Sequence, residues 1–131
     1  MKQPNWANPI IKKFCELEGR KNLPVVRWRE RQGQSSSGFC WYPKYAKQKK
    51  YNININMSVH RNDSDCKAVL IHELCHWSLP KGKGHSIKFW KKAWKYYEIF
   101  KEELDWERLK KSEFRYMKKS ELVYNQLHNL K

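Results

Sequence analysis

Five consecutive residues, His72-Glu73-Leu74-Cys75-His76, are the part of this 131-residue chain whose types and spacing can do chemistry. On a helix turning about 100° per residue, His72 and His76 fall roughly 40° apart around the axis and one turn apart along it, so both imidazoles can address one metal ion. Glu73 falls about 80° to one side of that pair, outside ligation but close enough to take a proton from a metal-bound water. Zinc fits such a site: it takes three protein ligands and keeps one open position, acidifies its water toward a pKa of about 7, and polarises a scissile carbonyl. The plainer alternative is a pair of helical histidines satisfied by hydrogen bonds. The setting favours the metal, because the motif lies in an amphipathic helix directly after an alternating strand.

A third ligand is required, and His85 is the best candidate. It follows Leu79-Pro80-Lys81-Gly82-Lys83-Gly84, whose glycines permit a reversal that swings His85 back over the helix. Glu98 on the next helix is the carboxylate alternative. A metzincin arrangement is excluded, since it needs Gly at position 79 and His at 82, where the chain has Leu79 and Gly82. His60 and His128 read as surface or capping histidines. Cys75 lies about 80° from the histidine pair on the side opposite Glu73, within reach of the site. It is expected instead as a small buried hydrophobe, because a thiolate would close the open position.

The elements that must position these groups follow from local pattern. Asn8-Pro9 is a helix start and Gly19 a stop, with Ile10, Ile11, Phe14, Cys15 and Leu17 on one face. Val25 to Glu30 alternates as a strand with one wet face. Residues 32–38 are a small-residue connection into a second strand, Phe39 to Tyr42, and the two suggest a hairpin. Tyr51 to Val59 is a third strand, apolar on one side and Asn/Ser on the other. Asn62-Asp63-Ser64-Asp65 caps a helix running from about Ser64 or Asp65 to Ser78. Ser86 caps another carrying Phe89, Ala93, Tyr97, Phe100 and Leu104 at helical spacing, and a last helical pattern uses Leu109, Tyr116, Val123, Leu127 and Leu130.

The run Ala68-Val-Leu-Ile-His-Glu-Leu-Cys-His76, followed by Gly84-His-Ser-Ile-Lys-Phe-Trp90, resembles the signature of the SprT-like metallopeptidases, in which H-E-x-x-H precedes a G-H-x-x-x-F/W element. It is also similar to the YgjP-like and WLM zincins. The resemblance covers about residues 25–100. It implies a zinc peptidase with one Zn2+ on His72, His76 and His85, and Glu73 as catalytic acid and base. The chain departs from the pattern in having no C-x-x-C pair for a zinc ribbon and a longer loop before His85 than the YgjP-like proteins. The expected fold is α+β and zincin-like: an N-terminal helix, a small, mostly antiparallel three-stranded sheet, the HExxH helix and two C-terminal helices. Residues 1–131 are expected as a single domain, with a core over about 8–104 and a helical extension over 105–131.

Charge bears on partners. Twenty-eight Lys and Arg against 13 Asp and Glu give a net charge of +15, which favours a polyanion such as DNA or RNA. The resemblance points the same way, since the SprT-like and WLM groups include proteases acting on DNA-crosslinked proteins. Lys88, Lys91, Lys92 and Lys95 form a candidate basic stripe, and Trp41, Tyr42 and Tyr45 beside Lys44 and Lys47 are candidate stacking residues. No apolar run reaches membrane length and no secretory leader is evident, so a cytoplasmic, intracellular protein with free cysteines is expected. The main expectation is a zinc-dependent endopeptidase acting on protein or peptide. Its rivals are a nucleic-acid-binding protein with a structural or vestigial zinc site and a hydrolase of non-peptide amides. An intact Glu73 favours hydrolysis, for which it is indispensable, over a structural site, which has no use for it.

Overall fold

The computed structural model describes residues 2–30, 38–40, 50–57, 62–80 and 84–129. Helix α1 (Ala7–Leu17) buries Ala7, Ile10, Ile11, Phe14 and Cys15, the expected stripe except for Leu17, which is exposed. It starts earlier than Asn8-Pro9 indicates: Trp6 occupies the cap without a side-chain bond. Pro9 then sits in the first turn, where a missing N–H costs nothing. Gly19 ends it at φ 68°, a conformation only glycine adopts freely.

The strands form a mixed sheet in the order β1-β3-β2, from β1 (Val26–Arg29), β2 (Gly38–Cys40) and β3 (Ile53–Asn56). β1 runs parallel to β3, and β2 antiparallel to it. This corrects both the expected β1–β2 hairpin and the mostly antiparallel sheet. β3 inserts between the other two because its Ile53 and Ile55, both fully buried, have more core to cover than an edge strand allows. The central place also covers its Asn side: Asn54 and Asn56 are buried. Asn54 Oδ1 accepts a bond from Arg27 Nε at 2.8 Å, and the Arg27 guanidinium lies over the Tyr51 ring. Buried amides are retained when so paired.

Helix α2 (Asp63–Ser78) is capped by Asn62, whose Oδ1 accepts the Asp65 N–H at 2.9 Å, with Asp63 and Asp65 in the dipole-favoured first turn. It packs on β2, β3, α1 and the following helix. Its second half is not one-sided as the amphipathic reading has it: Leu70, Ile71, Glu73, Leu74 and Cys75 are all buried, an arc of about 200°. Helix α3 (Ile87–Ile99) is capped by Ser86, whose Oγ accepts the Phe89 N–H. It stops before Leu104, and the chain continues through a 3-10 turn (Lys101–Glu103).

The last helical pattern is two helices, α4 (Trp106–Tyr116) and α5 (Lys118–Leu127), broken at Met117, whose extended backbone serves as end of one and start of the other. Three helices, not two, therefore follow α2. The break lets α5 pack on both α3 and α4. Trp94 sits at that junction, fully buried, its Nε1 donating to Ser120 O and Oγ at 3.1 Å, its ring against Tyr97, Trp106, Phe114 and Tyr124. Lys92 leaves the expected stripe: with Tyr96 it binds Glu18, tying the end of α1 to α3. No helix among the described residues is long and apolar enough to cross a membrane. Trp41, Tyr42, Lys44, Tyr45, Lys47, His60 and Leu130 lie outside the described residues.

Trp94→Ala should cost about 3–5 kcal/mol, the range for a large buried aromatic. Urea unfolding followed by fluorescence and circular dichroism measures it, and a loss below about 1 kcal/mol would mean that α5 does not depend on this anchor.

Candidate metal centre

His72 and His76 leave one face of α2 a turn apart, as the i, i+4 spacing requires. Gly84, at φ 45°, turns the chain so that His85, just before α3, meets them. His85 Nε2 lies 3.1 Å from His72 Nε2 and 3.2 Å from His76 Nε2. The three are the group of metal-capable side chains among the described residues, with one ligand atom from each within 4.8 Å of the others. An imidazole nitrogen carries either one proton or one lone pair, so His85 Nε2 cannot bond well to both neighbours at once. A metal ion accepts all three lone pairs, and a tetrahedral zinc with Zn–N of about 2.0–2.1 Å spaces its nitrogens about 3.3 Å apart. The donor set fits such an ion.

Aromatic rings fix the imidazoles. Phe89 stacks on His76 with centroids 4.1 Å apart at 19°, and Trp90 stacks on His85 at 5.7 Å and 23°. Both sit in the first turn of α3, directly after the third histidine. Burial, then the neighbouring imidazoles, lowers the His72 pKa well below its ordinary value and that of His76 to about 4. Burial and Lys119 lower that of His85. The trio is thus unprotonated at neutral pH, the state in which histidine ligates.

Glu73, next to His72 in sequence, is 5% exposed. Burial, then the Glu113 carboxylate, raises its pKa to about 8. β2 closes over it: a Cβ built on Gly38 would stand 3.2 Å from Glu73 Cγ, 3.0 Å from Val69 Cγ1 and 3.1 Å from Asn54 O. Burial and then Glu73 push the neighbouring Cys40 thiol up to about 12. Cys75 is fully buried and outside the histidine group, as a small hydrophobe. Glu98 accepts from or pairs with His128 Nε2 at 2.6 Å, and His128 also stacks on Tyr124, so neither joins the trio.

Three polar residues at the site escaped the sequence reading. Tyr116, half exposed at the end of α4, holds its hydroxyl 3.5 Å from His85 Nε2. Glu113, one turn earlier, has Oε2 3.9 Å from His72 Nδ1, and burial raises its pKa to about 7. Tyr97 on α3 puts its hydroxyl 3.3 Å from Glu113 Oε2 and 3.5 Å from His72 Nδ1. Tyr97 and Tyr116 were read only as members of apolar stripes. Glu113 to Tyr116 is an i, i+3 spacing, but no local signal says what that face of α4 meets.

Fold and site together define a small α+β domain with an HExxH helix and a converged histidine triad able to hold a metal. The chain belongs to the SprT-like family, whose model matches residues 10–113. No curated protein and no solved structure matches it at a significant level.

Two outcomes follow. Gly38→Ala should destabilise the protein by about 1–3 kcal/mol through overpacking against Val69 and Glu73, read by denaturant unfolding. The second concerns pH. Between pH 6.5 and 8.5 the unfolded chain's carboxyls, ordinarily near 4.5, are ionised, while folded Glu73 and Glu113, at about 8 and 7, still hold protons. The folded state's carboxyls hold more protons there, so they make stability fall as pH rises; the unfolded chain's imidazoles, ordinarily near 6.5, offset part of this up to about pH 7.5, so the fall is steepest above that. The metal-free protein should therefore lose thermal stability across that window, and Glu73→Gln should remove the larger part of the loss. A wild-type melting profile that is flat from pH 6.5 to 8.5 would contradict the buried carboxylates.

Proposed function

We propose that the protein is a zinc-dependent endopeptidase with His72, His76 and His85 as metal ligands and Glu73 as acid and base. The convergence of the three Nε2 atoms beside a buried glutamate carries this reading. A zinc ion held there would acidify a water molecule and polarise a peptide carbonyl. Glu73, made more basic by burial, takes a proton from the attacking water and delivers it to the departing amide nitrogen. Tyr116 offers an O–H donor at the mouth of the site, where the carbonyl oxygen gains negative charge. Phe89 and Trp90 keep the imidazoles from swinging and keep water off their apolar sides.

The +15 charge supports a further part of the proposal: the protein acts inside the cell on proteins associated with DNA or RNA, binding the nucleic acid without strong sequence preference. The same charge also suits a nucleic-acid-binding protein whose metal site is structural or vestigial, and Glu73 separates the two.

Purified protein should contain one zinc per chain by elemental analysis. His72→Ala and His76→Ala should lose it together with stability. With casein as substrate, Glu73→Gln should lower turnover at least about a hundredfold with metal content unchanged, and Tyr116→Phe should lower kcat on the order of a hundredfold. Near-wild-type turnover in Glu73→Gln would sink the mechanism. Affinity for an unrelated DNA duplex should drop about tenfold or more between 50 and 200 mM salt, and binding indifferent to salt would remove nucleic acid from the proposal.

A further inference from the structure

Behind His72, on the side away from the other imidazoles, three helices bring together an imidazole, a phenol and a carboxylate. His72 comes from α2, Tyr97 from α3 and Glu113 from α4. The Tyr97 hydroxyl lies against both of the others, 3.3 Å from Glu113 Oε2 and 3.5 Å from His72 Nδ1, and those two atoms are 3.9 Å from each other. Tyr97 is fully buried, and the Glu113 side chain is 13% exposed.

The bonding directions follow from the donor inventory. An ionised carboxylate only accepts, so whenever Glu113 is ionised the single Tyr97 proton goes to it. The phenol oxygen can then only accept from His72, which places the imidazole proton on Nδ1 and leaves the lone pair on Nε2. Nε2 is the atom that faces His85 and His76.

Charge gives the second strand of the argument. Among the described residues no lysine or arginine pairs with Glu113, and its one ion-pair contact is His72, at 3.9 Å. An enclosed carboxylate without a cation is costly. That cost is offset if positive charge reaches it through the imidazole, as happens when Nε2 ligates a metal.

We infer that Tyr97 and Glu113 form a relay, His72 Nδ1–H to Tyr97 Oη–H to the Glu113 carboxylate, which holds His72 in its metal-ligating tautomer and strengthens it as a zinc ligand. They are positioning residues that touch neither substrate nor metal. The inference rests on the proposal that the triad binds zinc and extends it to the residues that set the affinity.

The test uses the full chain with Glu113→Gln, Tyr97→Phe and the double variant, zinc alone being the ligand. Competition against a chromogenic chelator should give a zinc Kd 10–100-fold weaker in each single variant, the range for lost outer partners of a metal-bound histidine. The double variant should be no weaker than the worse single one, because both break one chain of bonds. In metal-free protein at pH 8, where Glu113 is mostly ionised, nitrogen-15 spectra should find His72 as the Nδ1–H tautomer in the wild type and displaced from it in the variants. Metal-free Glu113→Gln should melt no lower than wild type at pH 8, since it removes an enclosed carboxylate, whereas a merely structural role would lower the melting point along with the affinity. Wild-type zinc affinity in both single variants, an Nε2–H tautomer in the wild type, or parallel loss of affinity and metal-free stability in Glu113→Gln overturns the relay and leaves the peptidase reading standing. A wild-type protein that binds no zinc overturns both.

Discussion

Three imidazoles converging so that His85 Nε2 lies within hydrogen-bond distance of His72 Nε2 and His76 Nε2 are favoured neutral, because adjacent imidazolium ions would repel and the one carboxylate against them, Glu113 at 3.9 Å from His72 Nδ1, could compensate a single charge at most. The fold meets this requirement by enclosure. His72 is the most deeply set and its pKa the most strongly lowered, and burial outweighs the neighbouring rings as the cause. Enclosure in turn dictates the surroundings: flat rings rather than aliphatic side chains line the site, since a ring packs on an imidazole face without leaving voids. Phe89 and Trp90 do so from α3 and Tyr116 from α4. The packing has a cost. Trp90 Nε1 is a buried donor with no partner among the described residues.

Holding the trio also explains why α2 is buried so broadly. Its Leu70, Ile71, Leu74 and Cys75 are locked into the core with α1, the sheet and α3, so the two histidines on the remaining arc have a rigid base. The third histidine comes from a turn, and turns are softer than helices. Here the turn is braced on both sides, by the positive φ of Gly84 before it and by the Ser86 cap of α3 after it. Rigidity is thus distributed according to where the local chain would otherwise move.

Much of this was legible in the sequence where the signal is local. The H-E-x-x-H spacing, the Asn62 and Ser86 caps, the stop at Gly19 and the glycine conformation of Gly84 before His85 each follow from a few adjacent residues, and each appears in the structure. What depends on distant partners was not legible. Alternation in Ile53–Asn56 identifies a strand but not that β1 pairs with it in parallel, which turns a supposed hairpin into neighbours of a shared central strand. Periodicity from Leu109 to Leu127 does not register the single extended residue, Met117, that folds one expected helix into two. The roles of Tyr97, Glu113 and Tyr116 were hidden for the same reason: their own neighbourhoods look like ordinary helix faces, and what matters is the face of α2 and the turn they meet.

The two missed and found carboxylates also make sense together. The chain is strongly basic overall, yet two enclosed acidic groups, Glu73 and Glu113, stand by the histidine triad, and Glu113 adds to the cost of ionising Glu73. Without added positive charge, at least one of them is best left protonated near neutral pH. On the proposed reading the imbalance has a purpose. Two ionised carboxylates around three neutral imidazoles carry a charge of about −2, which a dication balances. Glu113 then neutralises charge from behind His72, while Glu73, freed from competing for the same compensation, can exchange its proton with the reacting groups. A single enclosed carboxylate would have to serve both ends, and the division between two, on helices α2 and α4, lets one remain ionised while the other cycles.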